Sequence, residues 1–148
     1  MFYLDSSAWV KRYEREDGTD WVERLWTQVD LLGSSRLALV EVVSAVARRH
    51  RERAGDGEVV RQTLQAVQAD FRDMLCVELS EDVLDLAVAL AETHRLRGAD
   101  AVHLASALRL KAITETDLTM VASDGELLAA ARMEGLPVLD PRLAPPLA

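Results

Sequence analysis

Phe2-Tyr3-Leu4-Asp5-Ser6-Ser7-Ala8 opens the chain: three apolar residues, an acid, then two hydroxyl residues. The apolar run reads as a short buried strand. Ser6 and Ser7 can cap a helix running to about Arg15. Near the other end Leu118-Thr119-Met120-Val121-Ala122-Ser123-Asp124 repeats the order of strand then acid, followed by a helix from about Gly125 to Glu134 with Gly135 as its left-handed cap. Between them the pattern keeps alternating. Thr19 caps a helix with the stripe Val22, Leu25, Trp26 and Val29, and Leu31 to Ser35 is a weak strand and turn. A long helix follows from about Leu37 to Arg53, ended by Gly55-Asp56-Gly57. The next, from about Glu58 to Met74, carries one stripe of Val60, Leu64, Val67, Phe71 and Met74 and packs on the outside. Leu75 to Leu79 is a strand, Ser80 caps a helix to about Leu96, and Asp100 begins a helix through Leu110. Val138-Leu139 is a last short strand, and the Pro-rich end over 139–148 cannot join a central one. Strands alternating with helices predict an α/β fold, a short parallel β-sheet sandwiched by helices, in a single domain spanning 1–148.

In such sheets ligands bind beyond the carboxyl ends of the strands, so Asp5 and Asp124 fall on one edge. Two further acids interrupt apolar sequence. Glu41 breaks Leu37-Ala38-Leu39-Val40 and Val42-Val43, and Asp100 opens Ala101-Val102-His103-Leu104-Ala105. Each has a plainer reading. Asp5 suits a strand-to-helix turn, Asp124 an N-cap, and Asp100 a cap for the helix at Ala101. Glu41, on a helix apolar nearly all round, could pair with Arg48, although buried ion pairs contribute little stability. A carboxylate in apolar surroundings is costly unless compensated. Four that converge repel one another, and a divalent cation is the natural remedy. The pattern therefore points to metal-dependent phosphodiester chemistry. His103, three residues after Asp100, reads as a packed histidine hydrogen-bonded nearby, and no His spacing suits zinc.

The net charge of -8 over 148 residues excludes a general nucleic-acid coat protein but not a nuclease, since two divalent cations would halve it. The cations are 15 Arg against 2 Lys, and Arg grips phosphate through a bidentate fork. They cluster at Lys11-Arg12-Arg15, Arg48-Arg49-Arg51-Arg53 and Arg95-Arg97, either as solvated helix ends or as substrate contacts. Trp9, Trp21 and Trp26 suggest core, a hydrophobic groove or a protein interface. Cys76 is alone and reads as a buried small hydrophobe, so no intrachain disulfide forms. With no membrane-length apolar run and no secretory leader pattern, a cytoplasmic protein is expected.

Together these segments resemble the PIN-domain family, and specifically the VapC-type toxins of bacterial toxin–antitoxin pairs. The matching pieces are Tyr3 to Ala8, Leu37 to Val42, Leu96 to Ala107 and Val121 to Ala131, in order along nearly the whole chain. The resemblance carries the family's four acids onto Asp5, Glu41, Asp100 and Asp124, and its shell-ordering hydroxyl onto Ser6. It departs at Ala122, where the family often has Thr, and at Ser7, where many members have Asn. It implies an Mg²⁺- or Mn²⁺-dependent endoribonuclease with Asp5, Glu41 and Asp100 as core ligands. Asp124 would bind a second metal or orient the attacking water. It also implies a homodimer, an RNA substrate, and silencing by a VapB-type antitoxin laid into a hydrophobic groove, for which the Trp residues are candidates.

Rival readings separate on particular residues. A phospho-accepting receiver domain needs a second acid beside Asp5 and a Lys near the last strand, and none follows Lys111. A PIN-domain nuclease of RNA processing, or one acting on DNA, would share the acids and differ in target. A catalytically silent binding module would have lost one or more of them.

Overall fold

A computed structural model of the chain describes residues 1–53 and 55–145. Five strands form one parallel sheet: β1 (Phe2–Leu4), β2 (Leu32–Ser35), β3 (Leu75–Val77), β4 (Thr119–Val121) and β5 (Val138–Leu139), in the order β3-β2-β1-β4-β5. Phe2 pairs with Leu32 on one side and Thr119 on the other, which makes β1 central. Seven helices connect the strands: α1 (Ser6–Trp9), α2 (Thr19–Gln28), α3 (Arg36–Glu52), α4 (Gly57–Arg72), α5 (Glu81–His94), α6 (Gly98–Thr114) and α7 (Gly125–Met133).

Strand residues alternate between faces, and each face buries its own core. Tyr3 and Met120 pack with Val83, Leu90, Leu104 and Leu127 of α5, α6 and α7. Leu4 and Val121 pack with Trp9, Leu25, Val42 and Phe71 of α1 to α4. The sheet is thus covered on both sides, as expected. Gly33 on β2 lets α6 approach, since a Cβ there would collide with Leu110. No helix among the described residues is long and apolar enough to cross a membrane. Residues 146–148, the last of the Pro-rich end, lie outside the described residues.

Several boundaries differ from expectation for local reasons. The first helix is one turn, continued as a 3₁₀ turn over Val10–Arg12, and Asp5 rather than Ser6 or Ser7 caps it. The helix expected to begin at Asp100 and end at Leu110 starts at Gly98 and runs to Thr114, so Asp100 lies inside its first turn and Arg97 is its N-cap residue. Gly18, at φ +94°, precedes α2, where Thr19 was expected to cap. Ser80 caps α5 as expected, and Gly135 takes its left-handed conformation at φ +77°.

Much of the basic clustering has a structural use. Lys11 Nζ donates to Glu16 at 2.8 Å, Arg49 to Glu16 at 3.0 Å, and Arg53 to Glu14 at 2.9 Å. These bonds tie the segment after the 3₁₀ turn to the C-terminal end of α3. Partial burial would raise the Glu16 carboxyl, but Lys11 and Arg49 outweigh it and hold it below its ordinary range. Glu16→Gln leaves the buried Lys11 without its hydrogen-bonded counter-charge and is expected to cost about 2 kcal/mol at neutral pH. Because the folded pKa is depressed, this contribution is present above the ordinary glutamate range and disappears as pH falls through the folded value. Urea unfolding of both chains at stepped pH checks this: the gap between them should be full at pH 7 and close in acid.

Candidate functional site

The strand order places the two loop acids together. After β1 the chain winds towards β2 and β3, whereas β4 returns to the opposite side of β1. The crevice at the carboxyl ends of β1 and β4 is therefore the topological switch point, where open parallel sheets bind ligands. Asp5 follows β1 and its N–H donates to Val121 O of β4 at 3.1 Å. Asp124 stands three residues beyond the end of β4.

Both acids do cap helices, as their plainer readings had it, and both keep carboxylate capacity free of that task. Asp5 Oδ1 accepts from Ala8 N at 2.9 Å, while the Ser7 hydroxyl donates to both Asp5 oxygens at 2.8 Å. Ser7 Oγ in turn accepts from Ser123 N at 2.8 Å, joining the two loops. Asp124 Oδ1 caps α7 through Glu126 N and Leu127 N, and its Oδ2 accepts from Arg97 Nη2 at 2.9 Å. The same guanidinium donates through Nε to Asp100 Oδ2 at 2.9 Å.

Glu41 enters from α3. Its partner is His103 on α6, with Nε2 at 2.7 Å from Oε2, and not Arg48. His103 is 1% exposed, and its Nδ1 lies 3.1 Å from the Tyr3 hydroxyl. Burial raises the Tyr3 hydroxyl far above its ordinary value, so it stays protonated. A carboxylate only accepts, so Nε2 carries a proton and donates to Glu41, which leaves Nδ1 facing the Tyr3 hydroxyl. The packed-histidine reading of His103 therefore holds, and its task is to fix Glu41.

The contacts form one chain across the crevice: Asp124, Arg97, Asp100, one helical turn to His103, then Glu41. Asp5 joins it electrostatically. Burial is the main force holding its carboxyl above the ordinary range; His103, the Ser7 hydroxyl and Ala8 N–H oppose this, and the Glu41 charge adds to it. Burial would raise Glu41 as well, but the His103 hydrogen bond and charge, with the Ser6 hydroxyl, outweigh it and hold Glu41 low. Ser7 is thus the hydroxyl that orders Asp5, while Ser6 acts on Glu41 only by favouring its ionised form.

Among the described residues, no three His, Cys, Asp or Glu side chains stand close enough together to grip a metal ion. Arg97 and His103 hold the acids as separate pairs. The donor chemistry nonetheless fits a hard divalent cation, with carboxylate and hydroxyl oxygens and no thiol at the site. Asp5 is 3% exposed and, among the described residues, has no cation hydrogen-bonded to it. The buried Ser123 Oγ, next to Asp124, has no hydrogen-bond partner among the described residues.

Arg97 and Ser7 were not singled out for these roles in the sequence. The available signal for Arg97 was its position three residues before Asp100, the spacing of a helical ion pair. Trp9 and Trp21 are buried, and Trp26 lies beneath the Arg12 guanidinium at the edge of a small cavity of about 150 Å³. A larger apolar groove lies between α3 and α4, about 490 Å³, walled by Leu39, Val40, Val43 and Phe71 with Arg36 and Arg72 beside them.

The chain matches the PIN domain family over residues 2–133. Ribonuclease VapC45 of Mycobacterium tuberculosis (strain CDC 1551 / Oshkosh) is 36% identical over 149 residues, covering 98% of this chain and 99% of its own length. Among solved structures, FitAcB from Neisseria gonorrhoeae superposes with a TM-score of 0.72 at 17% identity, over 97% of this chain and 100% of that one. A toxin–antitoxin complex from Klebsiella pneumoniae contains a chain that superposes with a TM-score of 0.67 at 17% identity, over 95% and 98%.

Proposed function

The chain belongs to the PIN-domain family, and on that premise we propose that it is a VapC-type toxin endoribonuclease that hydrolyses RNA phosphodiester bonds as a single nuclease domain. The supporting observation is the set of contacts that links Asp124, Asp100 and Glu41 at the sheet's switch point, with Asp5 beside them close enough to feel the Glu41 charge. The ribonuclease name of a relative 36% identical over nearly the whole chain gives the same reaction class.

We assign Asp5, Glu41, Asp100 and Asp124 to holding Mg²⁺ or Mn²⁺, with Ser7 ordering Asp5 and Ser6 favouring the ionised form of Glu41. A divalent cation bound there supplies a more acidic water and charge neutralisation at the phosphate. The residues of the chain do the rest. His103, locked by Tyr3, aims the Glu41 carboxylate into the crevice. Ser7 keeps both Asp5 oxygens in place against the repulsion of Glu41. The α7 cap leaves one Asp124 oxygen facing the crevice.

For the partner we propose a VapB-type antitoxin with an apolar segment in the α3–α4 groove. Val40 on the groove wall is 62% exposed, and Glu41 is the next residue of the same helix. An occupant there would act beside the site. A homodimer completes the reading.

Induction of the chain in bacteria is expected to arrest growth, with discrete new cuts in total RNA. The purified protein should cut RNA with Mg²⁺ or Mn²⁺ and stop when EDTA is added. Cleavage indifferent to chelation would overturn the metal assignment. Unimpeded growth with intact RNA would overturn the toxin reading.

A further inference from the structure

We propose that Arg97 is a built-in counter-ion that competes with the metal for Asp100 and Asp124, so that the chain sets its own metal affinity and keeps its nuclease site closed until a cation displaces the arginine. This rests on the metal-site reading above and concerns the regulation of that same site.

The geometry carries it. The guanidinium spans two elements, giving Nε to Asp100 at the start of α6 and Nη2 to Asp124 at the cap of α7, both at 2.9 Å. The two carboxylates are largely covered, with side chains 14% and 28% exposed, whereas Arg97 is 73% exposed. The cation therefore reaches inward from solvent, and its stem is not packed in the core. Exposed ion pairs are individually weak, so a divalent ion with several carboxylates can expel it. The backbone does not resist either: Arg97 precedes α6 at φ −64°, ψ 153°, and its side chain makes no capping bond. The fork also accounts for acids that stand in pairs and not in one cluster. While Arg97 bridges Asp100 and Asp124, one oxygen of each carboxylate is engaged by it.

Calorimetric titration of the purified chain with Mn²⁺ tests the proposal, with binding as the readout. Arg97→Gln is expected to bind Mn²⁺ roughly fivefold more tightly if one exposed pair is lost, and up to roughly thirtyfold if both count. Arg97→Lys keeps the charge but cannot fork across two carboxylates, and it should also bind more tightly. Arg95→Gln removes a neighbouring charge that has no ion-pair partner among the described residues, and it should bind as the parent does. Unchanged or weaker binding in Arg97→Gln overturns the proposal. So does tighter binding in Arg97→Gln with Arg97→Lys at the parental value, which would be a field effect of lost charge. Asp100→Asn separates the two readings. If it loses Mn²⁺ while Arg97→Gln changes nothing, the metal site stands and the counter-ion role falls. If Asp100→Asn binds Mn²⁺ like the parent, the metal site itself is refuted.

Discussion

Asp5→Asn is expected to reduce RNA cleavage about a thousandfold while leaving the fold intact. The size follows from a ligand-bearing charge at the reaction centre: metal-assisted stabilisation is worth several kcal/mol, and each 1.4 kcal/mol is about tenfold in rate. The choice of Asn over Ala follows from the structure. Asp5 is both acid and N-cap, accepting from Ala8 N and holding the Ser7 hydroxyl. Asn caps a helix about as well as Asp, whereas Ala forfeits about 1 kcal/mol and strands Ser7. A loss of activity in Asp5→Ala would therefore mix chemistry with folding. In Asp5→Asn the sign of the stability change is opposite. Burial, opposed by His103 and the capping hydrogen bonds and reinforced by Glu41, holds the Asp5 carboxyl above its ordinary range, so its ionised form costs stability at neutral pH. The neutral amide removes that cost, and the metal-free variant should melt at or above the parental temperature. Paired assays of RNA cleavage and thermal unfolding decide it. Retention of more than about a tenth of the activity, a deficit below 1.4 kcal/mol, in a well-folded variant would remove Asp5 from the machinery.

The legible part of this site was the part governed by periodicity. Apolar runs ending in acids placed Asp5 and Asp124 at strand ends, and the rule for parallel sheets placed both on one edge. Glu41 and Asp100, on helices, had no such rule, because helix orientation across a sheet depends on packing between residues far apart in sequence. The pairing of Glu41 with His103 spans 62 positions, and no local pattern encodes it. Capping misled for a different reason. Several residues compete for each helix end, and the winner depends on which side chain reaches a free N–H. Asp5 outreaches Ser6 and Ser7 for the first helix, and α6 begins two residues before Asp100. The arginines were ambiguous because charge alone does not separate a substrate contact from a brace. Glu14 and Glu16, which settle it for Arg49 and Arg53, lie more than thirty positions away. The tryptophans were ambiguous likewise, since a large apolar ring suits a core and an interface equally.

That last ambiguity yields the largest expected stability effect. Trp9→Ala should destabilise the chain by about 3–5 kcal/mol, a large share of the roughly 5–15 kcal/mol that holds a domain of this kind together. The Trp9 ring is fully buried and stacks on Phe71 of α4, with centroids 5.7 Å apart and planes 22° from parallel. Its Nε1 donates to the Tyr13 hydroxyl at 3.1 Å, and Tyr13 donates to Asp70 at 2.6 Å, where Arg12 also binds. Truncation opens a void on one face of the sheet and breaks a polar chain at its buried end. Trp26→Ala, by contrast, removes a half-buried ring under Arg12 and should cost only about 1 kcal/mol. The consequence reaches the site. A single helical turn has no stability of its own, so α1 is held by what it packs against, and Trp9 is its anchor. The same turn presents the Asp5 cap, Ser6 and Ser7. Trp9→Ala should therefore lose Mn²⁺ affinity beyond what its unfolded fraction explains, while Trp9→Phe, which keeps a stacked ring, recovers most of both. Urea unfolding and Mn²⁺ titration of the three variants measure the two effects separately. A cost below about 1 kcal/mol for Trp9→Ala would contradict the burial of the ring and return it to a partner-facing surface. A full stability loss with unaltered metal affinity in the folded fraction would uncouple α1 from the acids it carries.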